Sequence, residues 1–234
     1  MDAQVVHAKR PFVALLLVFV AGIATWFVYV PIHELLHALG CYITGGAVST
    51  LEIAPEYGGA LLAHVFPFVV SGGDYAGRLS GFDTHGSDLV YLATDALPFL
   101  LTITVGVPLL KASTARHQPV RFGAAVVVAL APFYSLIGDY YEMGSIVVTR
   151  AATVLRGGAT LAYASLRSDD VILLVSRLWS QPHELQLDTP GAVTAGFIVV
   201  GLAFALGTLL AFATYFLGSQ VAHLTLHRAP SATP

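Results

Sequence analysis

The sequence predicts an all-α polytopic membrane protein of about four transmembrane helices, with a small β-hairpin after the first. Three observations carry that expectation. Hydrophobic residues make up 56% of the 234 residues and charged residues 11%, against the ~25% charged of a soluble domain, and mean hydropathy is +0.75. The apolar residues gather into four long runs, and a helix needs only ~20 residues to cross the hydrocarbon core of a bilayer. Between the first and second runs the pattern changes to short apolar stretches broken by glycine.

The first run, residues 12–44, follows Lys9 and Arg10 at the end of a short N-terminal flank, residues 1–11. A basic pair before an apolar run also opens secretory signals. No small-residue cleavage site follows here, so the run is expected to remain as a helix. It is longer than a bilayer requires, and Pro31 removes a backbone donor within it, which predicts a kink just before His33. Residues 48–55 and 60–67 read as two extended runs around Gly58-Gly59, a β-hairpin in the region 45–70, and residues 71–78 read as loop. The second run covers 89–110 and the third 122–148, joined by the short polar connector 111–121. In the stretch 151–189, Asp169-Asp170 stand where an N-cap belongs, ahead of an amphipathic segment at 171–179 suited to a membrane surface. The fourth transmembrane helix is expected within 190–218, with its apolar run at 192–217. Residues 219–234 form a C-terminal tail, disordered from Ala229.

The net charge of −3 comes with no basic patch, which sets nucleic-acid binding aside. The single Cys41 excludes an internal disulfide framework. It continues the stripe of residues 33, 37 and 41, but at ~1.5 Å rise per residue it lies about 12 Å along the axis from His33. That is too far to share one tetrahedral ion with both histidines, so Cys41 reads as a small buried hydrophobe.

His33-Glu34-Leu35-Leu36-His37 carries the chemistry. Histidines four apart share one helix face, so both imidazoles can close on a single Zn²⁺ with Glu34 beside them as catalytic base. Three ionisable residues within five positions of an apolar run are costly to insert, which favours a functional role over a solvated helix end with a snorkelling glutamate. A catalytic zinc site needs a third protein ligand. His64, His85, His117, His183, His223 and His227 fall in the hairpin region, in loops or near helix ends. Carboxylates inside apolar runs are better suppliers, because a buried anion needs a cation. These are Asp139, Glu142 and Asp95. Asp139 is the preferred ligand, since Pro132 and Gly138 weaken the helix just before it and let it approach a metal held elsewhere. Glu142 shares its face and suits a supporting role, with Asp95 a third possibility.

These residues together resemble the site-2 protease family of intramembrane zinc metalloproteases. The motif in one membrane helix, a hairpin-like segment after it, and a proline-then-aspartate helix two spans later cover roughly residues 12–150. The resemblance implies a three-helix catalytic core with His33, His37 and Asp139 as zinc ligands and Glu34 as base. An unwound substrate segment could pair with a strand edge at residues 48–55 or 60–67, and the resemblance implies the same use of this region. The chain departs from the family's Asn-x-x-Pro…Leu-Asp-Gly motif. Ala129 stands at the asparagine position, Tyr140 at the glycine, and Pro132 to Asp139 is two residues longer than usual.

The expected activity is hydrolysis of peptide bonds within or near transmembrane segments of membrane-protein substrates, by a minimal or divergent member in a prokaryotic cell membrane. The alternative is a membrane protein that binds or transports metal without hydrolysis, since intramembrane His, Asp and Glu also mark ion pathways. A diiron oxygenase would need several histidine clusters, and only His33 and His37 form a close pair. Lysine and arginine divide almost evenly between the two sides of a four-span arrangement, so charge assigns no orientation.

Overall fold

The computed structural model describes residues 3–158 and 161–227, with side chains from Pro11. The expected disorder from Ala229 and the side chain of His227 lie outside the described residues. Helix α1 (Ala3–Ile43) runs 41 residues, and neither Pro11 nor Pro31 interrupts it. Gly45 ends it with φ 95°, and the Gly46 N–H donates back to the Cys41 carbonyl at 2.9 Å, a glycine stop that closes the last turn. Phe12, Leu15 and Phe19 stand exposed along its outer face. An outward apolar stripe of this kind suits lipid and not water.

The hairpin expectation is overturned. Strand β1 (Ala47–Ile53) forms as expected, but residues 60–67 do not pair with it. They belong mostly to helix α2 (Gly59–Val65), because Gly58 turns left-handed at φ 83° and the Ala-Leu-Leu-Ala run that follows favours helix and lacks a two-residue alternation. β1 instead pairs parallel with β2 (Val69–Ser71) and antiparallel with β3 (Gly77–Asp83), giving the order β2-β1-β3. Part of the stretch read as loop at 71–78 therefore lies in strands. Ala38 of α1 packs with Leu51, Ile53 and Val69 to fix this sheet against the first helix.

The second apolar stretch, Asp88–Ala115, is helical throughout most of its length. It comprises α3 (Asp88–Ala96), a 3₁₀ turn at Leu97–Phe99, a π-helical turn at Thr102–Gly106 and α4 (Val107–Ala115). The third run is not one span. α5 (Pro119–Ala129) and α6 (Ala131–Tyr134) are bent apart by 43°, a 3₁₀ turn follows at Ser135–Ile137, and α7 (Asp139–Leu155) starts afresh. Pro132 and Gly138, expected to weaken a single helix, accompany its division. α8 (Val171–Ser180) is capped by Asp170, whose side chain accepts from the Leu173 N–H at 2.9 Å. α9 (Pro190–His227) extends well past the expected end of the fourth run.

Three helical stretches are long and apolar enough to cross a membrane, Pro11–Ile43, Asp88–Ala115 and Pro190–Leu226. The bent pair α5 and α6 would make a fourth if it counts as one span. This composition and length suggest a membrane protein. Backbones approach closely where helices cross. A Cβ on Gly144 would meet the Ala203 carbonyl oxygen at 2.1 Å, one on Gly207 the Tyr140 oxygen at 2.3 Å, and one on Gly123 the Val18 oxygen at 2.2 Å. Small residues at crossings are how apolar helices gain contact where lipid leaves little hydrophobic driving force. The α7–α9 crossing matters most, because it holds the helix that begins with Asp139.

Candidate metal centre

The site is built from two helix faces. On α1, residues 29, 33 and 37 are spaced one turn apart, so Tyr29, His33 and His37 point the same way and all three are buried. On α7, Asp139 occupies the first turn, where the free N–H groups and the helix dipole favour a carboxylate. The break at 135–138 lets this helix end meet the α1 face.

His33 Nε2 and His37 Nε2 stand 3.1 Å apart. Asp139 Oδ2 lies 3.2 Å from His33 Nε2, and its Oδ1 lies 3.6 Å from His37 Nε2. Among the described residues these three form the one His/Cys/Asp/Glu group whose donor atoms converge closely enough to hold a metal ion. Two buried imidazole nitrogens that face each other across a carboxylate repel as lone pairs unless a proton or a metal cation sits between them.

The far nitrogens are held as well. His33 Nδ1 lies 2.8 Å from the Tyr29 hydroxyl, and His37 Nδ1 lies 2.8 Å from the Thr94 carbonyl. A carbonyl can only accept, so His37 carries its proton on Nδ1 and offers a lone pair from Nε2. Pro98 explains why that carbonyl is open. In a regular helix the Thr94 oxygen would take the N–H of residue 98, and proline has none. Neither Tyr29 nor Pro98 was singled out from the sequence. The four-residue step from Tyr29 to His33 was legible. The backbone acceptor at Thr94 had no side-chain signature.

The expected alternatives sit near the group without joining it. Glu142 is buried one turn beyond Asp139 and accepts a hydrogen bond from the Tyr91 hydroxyl. Asp95 is buried too, and its Oδ2 has no hydrogen-bond partner. His64 lies in α2, and His85 pairs with Asp83 at 3.1 Å, away from the group. Cys41 is fully buried and free, with Sγ 3.6 Å from the Ala47 oxygen.

His33, His37 and Asp139 open on a cavity of about 930 Å³. Glu34 lines it beside the histidines, β3 supplies Gly77 to Ser80 and Phe82, and Asp95, Glu142 and Arg167 form part of its wall. Two ion-pair ties frame it. Arg78 of β3 grips Asp169 with Nε–Oδ2 at 2.8 Å and Nη2–Oδ1 at 3.1 Å, which closes the strand onto the start of α8. Asp88 takes Arg150 at 2.5 Å and Arg167 at 2.7 Å, which joins α3 to α7 and to the connector after it. The geometry thus offers three residues that could hold a metal ion and a further carboxyl group, Glu34, on the wall of a space large enough for a ligand. No family model, curated protein or solved structure matches this chain, so its chemistry rests on this arrangement alone.

Proposed function

We propose that this protein is an integral, multi-pass membrane zinc metalloprotease that hydrolyses peptide bonds within or near transmembrane segments of membrane-protein substrates. One observation carries the reading. The His33, His37 and Asp139 donor atoms converge while Glu34, which is not one of them, lines the same cavity.

The donor set fits zinc. Tetrahedral ligands at ~2.0–2.2 Å from one ion stand ~3.3–3.6 Å from each other, and the separations here are 3.1, 3.2 and 3.6 Å. Two histidines and a carboxylate also match the ligand types of catalytic zinc sites, which keep a fourth position open. When bound, zinc would polarise a scissile carbonyl and acidify the attacking water towards a pKa of ~7.

The chain's own residues do the rest. Glu34 takes the proton from the attacking water and returns it to the leaving amine. Tyr29 and the Thr94 carbonyl fix the histidine rings so that both Nε2 atoms keep facing the centre. A helical substrate segment hides its amides in its own hydrogen bonds and must unwind before attack. β1 is the central strand and residues 60–67 are mostly helical, so neither expected stretch offers an edge; β3 stands at the edge of the sheet and lines the cavity, which supports pairing of its open side with the unwound segment. The resemblance of the HELLH helix to site-2 proteases points the same way.

The decisive experiment compares wild type with Glu34→Gln after purification from membranes. Wild type should carry about one zinc per chain and cleave single-span substrates, while Glu34→Gln keeps the metal and loses cleavage. Undiminished cleavage by the variant would refute the assigned base. Metal binding without cleavage by wild type would favour a metal-binding or transport role.

A further inference from the structure

Asp95 and Glu142 are two buried carboxyl groups on the cavity wall that the proposed mechanism does not use. Both are buried, at 4% and 8% exposure, and both line the cavity. Among the described residues no lysine, arginine or histidine nitrogen forms an ion pair with either. The cations on the cavity wall are engaged elsewhere, Arg78 with Asp169 and Arg167 with Asp88. Glu142 has the Tyr91 hydroxyl as donor, whereas Asp95 Oδ2 has no hydrogen-bond partner.

A buried carboxylate oxygen with no partner is costly to keep, and a second carboxylate on the same wall raises that cost. A visiting cation removes it. The pair cannot readily supply a second metal site, because among the described residues only His33, His37 and Asp139 bring three such donors together. Two carboxylates spread over a cavity wall suit an organic cation, which needs fewer and looser contacts than a metal ion.

We propose that Asp95 and Glu142 form a subsite for a lysine or arginine side chain of the substrate, held in the cavity next to the metal centre. The proposal rests on the protease reading and names its substrate class, a membrane segment with a basic residue near the cleaved bond. The two carboxylates would hold the ammonium or guanidinium group while β3 holds the backbone. Juxtamembrane segments rich in lysine and arginine offer such residues at the ends of transmembrane helices.

The test uses the zinc-loaded full chain and matched single-span substrates that carry lysine, arginine or methionine at each position flanking the cleaved bond. Wild type should show kcat/KM about 10-fold or more higher for the basic substrates at one position, and Asp95→Asn and Glu142→Gln should each reduce that ratio towards one. Equal cleavage of basic and methionine substrates by wild type overturns the subsite while leaving the protease reading intact. A binding arm separates the two ideas, because n-butylguanidinium should raise the thermal midpoint of wild type and fail to raise that of either variant. If no substrate is cleaved, this arm alone decides. Protection of wild type only then supports the cation site, and no protection or equal protection overturns it. A second equivalent of zinc lost in Asp95→Asn would overturn it in favour of a metal. Both variants replace a buried carboxyl group with an amide of nearly the same size, and if one fails to fold the other carries the comparison.

Discussion

A Cβ placed on Gly77 would come within 2.4 Å of Glu34 Cγ, so the backbone of β3 backs directly onto the side chain that the proposed mechanism uses as base. The strand therefore sets the position of that carboxylate as well as forming the edge proposed for substrate. Gly77→Ala should push Glu34 out of place. A displacement near 1 Å costs on the order of 10²-fold in rate, so cleavage should fall by about that factor while zinc content stays unchanged. Parallel metal analysis and rate measurement check this, and loss of zinc from the variant would show that the sheet holds the metal ligands instead.

Pro98 leaves the Thr94 carbonyl free for His37, at 2.8 Å. Pro98→Ala restores an N–H that competes for that oxygen. Partners of this kind are typically worth 10–100-fold in metal affinity, and the variant should lose about that much in a competition titration against a chelator. Unchanged affinity would mean that the His37 ring is held by packing alone.

Tyr29→Phe removes the partner of His33 Nδ1 together with a hydroxyl contact to Tyr134, while the ring remains in the cluster with Phe99 and Met143. It should weaken zinc by about 10-fold and lower activity in step. Asp139→Asn should be more severe, because it replaces a ligating carboxylate with a neutral amide. Glu142→Gln should retain metal, and a larger metal loss from it than from Asp139→Asn would exchange their roles.

The α7–α9 crossing is predicted to be intolerant of bulk. Gly144 and Gly207 each leave room for a carbonyl oxygen of the opposite helix, with added Cβ atoms at 2.1 and 2.3 Å. Gly144→Ala should cost at least about 1–3 kcal/mol, the usual range for an overpacked contact, seen as a lower thermal midpoint in detergent. Gly201→Ala on the same α9 helix, where nothing lies within 4 Å, is the matched control and should change little.

Much of the centre could be read from residue order because helix geometry is local. The four-residue step places His33 and His37 together whatever surrounds them, and Asp139 was drawn in as a buried anion after Pro132 and Gly138. The hairpin failed for the opposite reason. Strand partners are chosen by contacts between distant segments, and residues 60–67 offered apolar content without the alternation that would have separated strand from helix. β3 was hidden by its glycines and Arg78, which look like loop until a neighbouring strand takes up their backbone groups. The third run was read as one apolar span, and only the fold shows how far the weakening at Pro132 and Gly138 goes. Asp95 was weighed as a ligand, but its lack of a partner is a property of its surroundings and has no trace in the local sequence.

The candidate metal donors come from distant segments of the chain, since His33 and Asp139 are 106 residues apart. A chain entering the membrane from its N-terminus carries both histidines long before the aspartate exists, and the break at 135–138 means that α7 must still dock after it has been made. The half-built chain is thus without a complete metal cage throughout its insertion. If the centre is hydrolytic as proposed, assembly order acts as a safety catch, keeping it silent while the protein's own unfolded segments and those of its neighbours are most vulnerable.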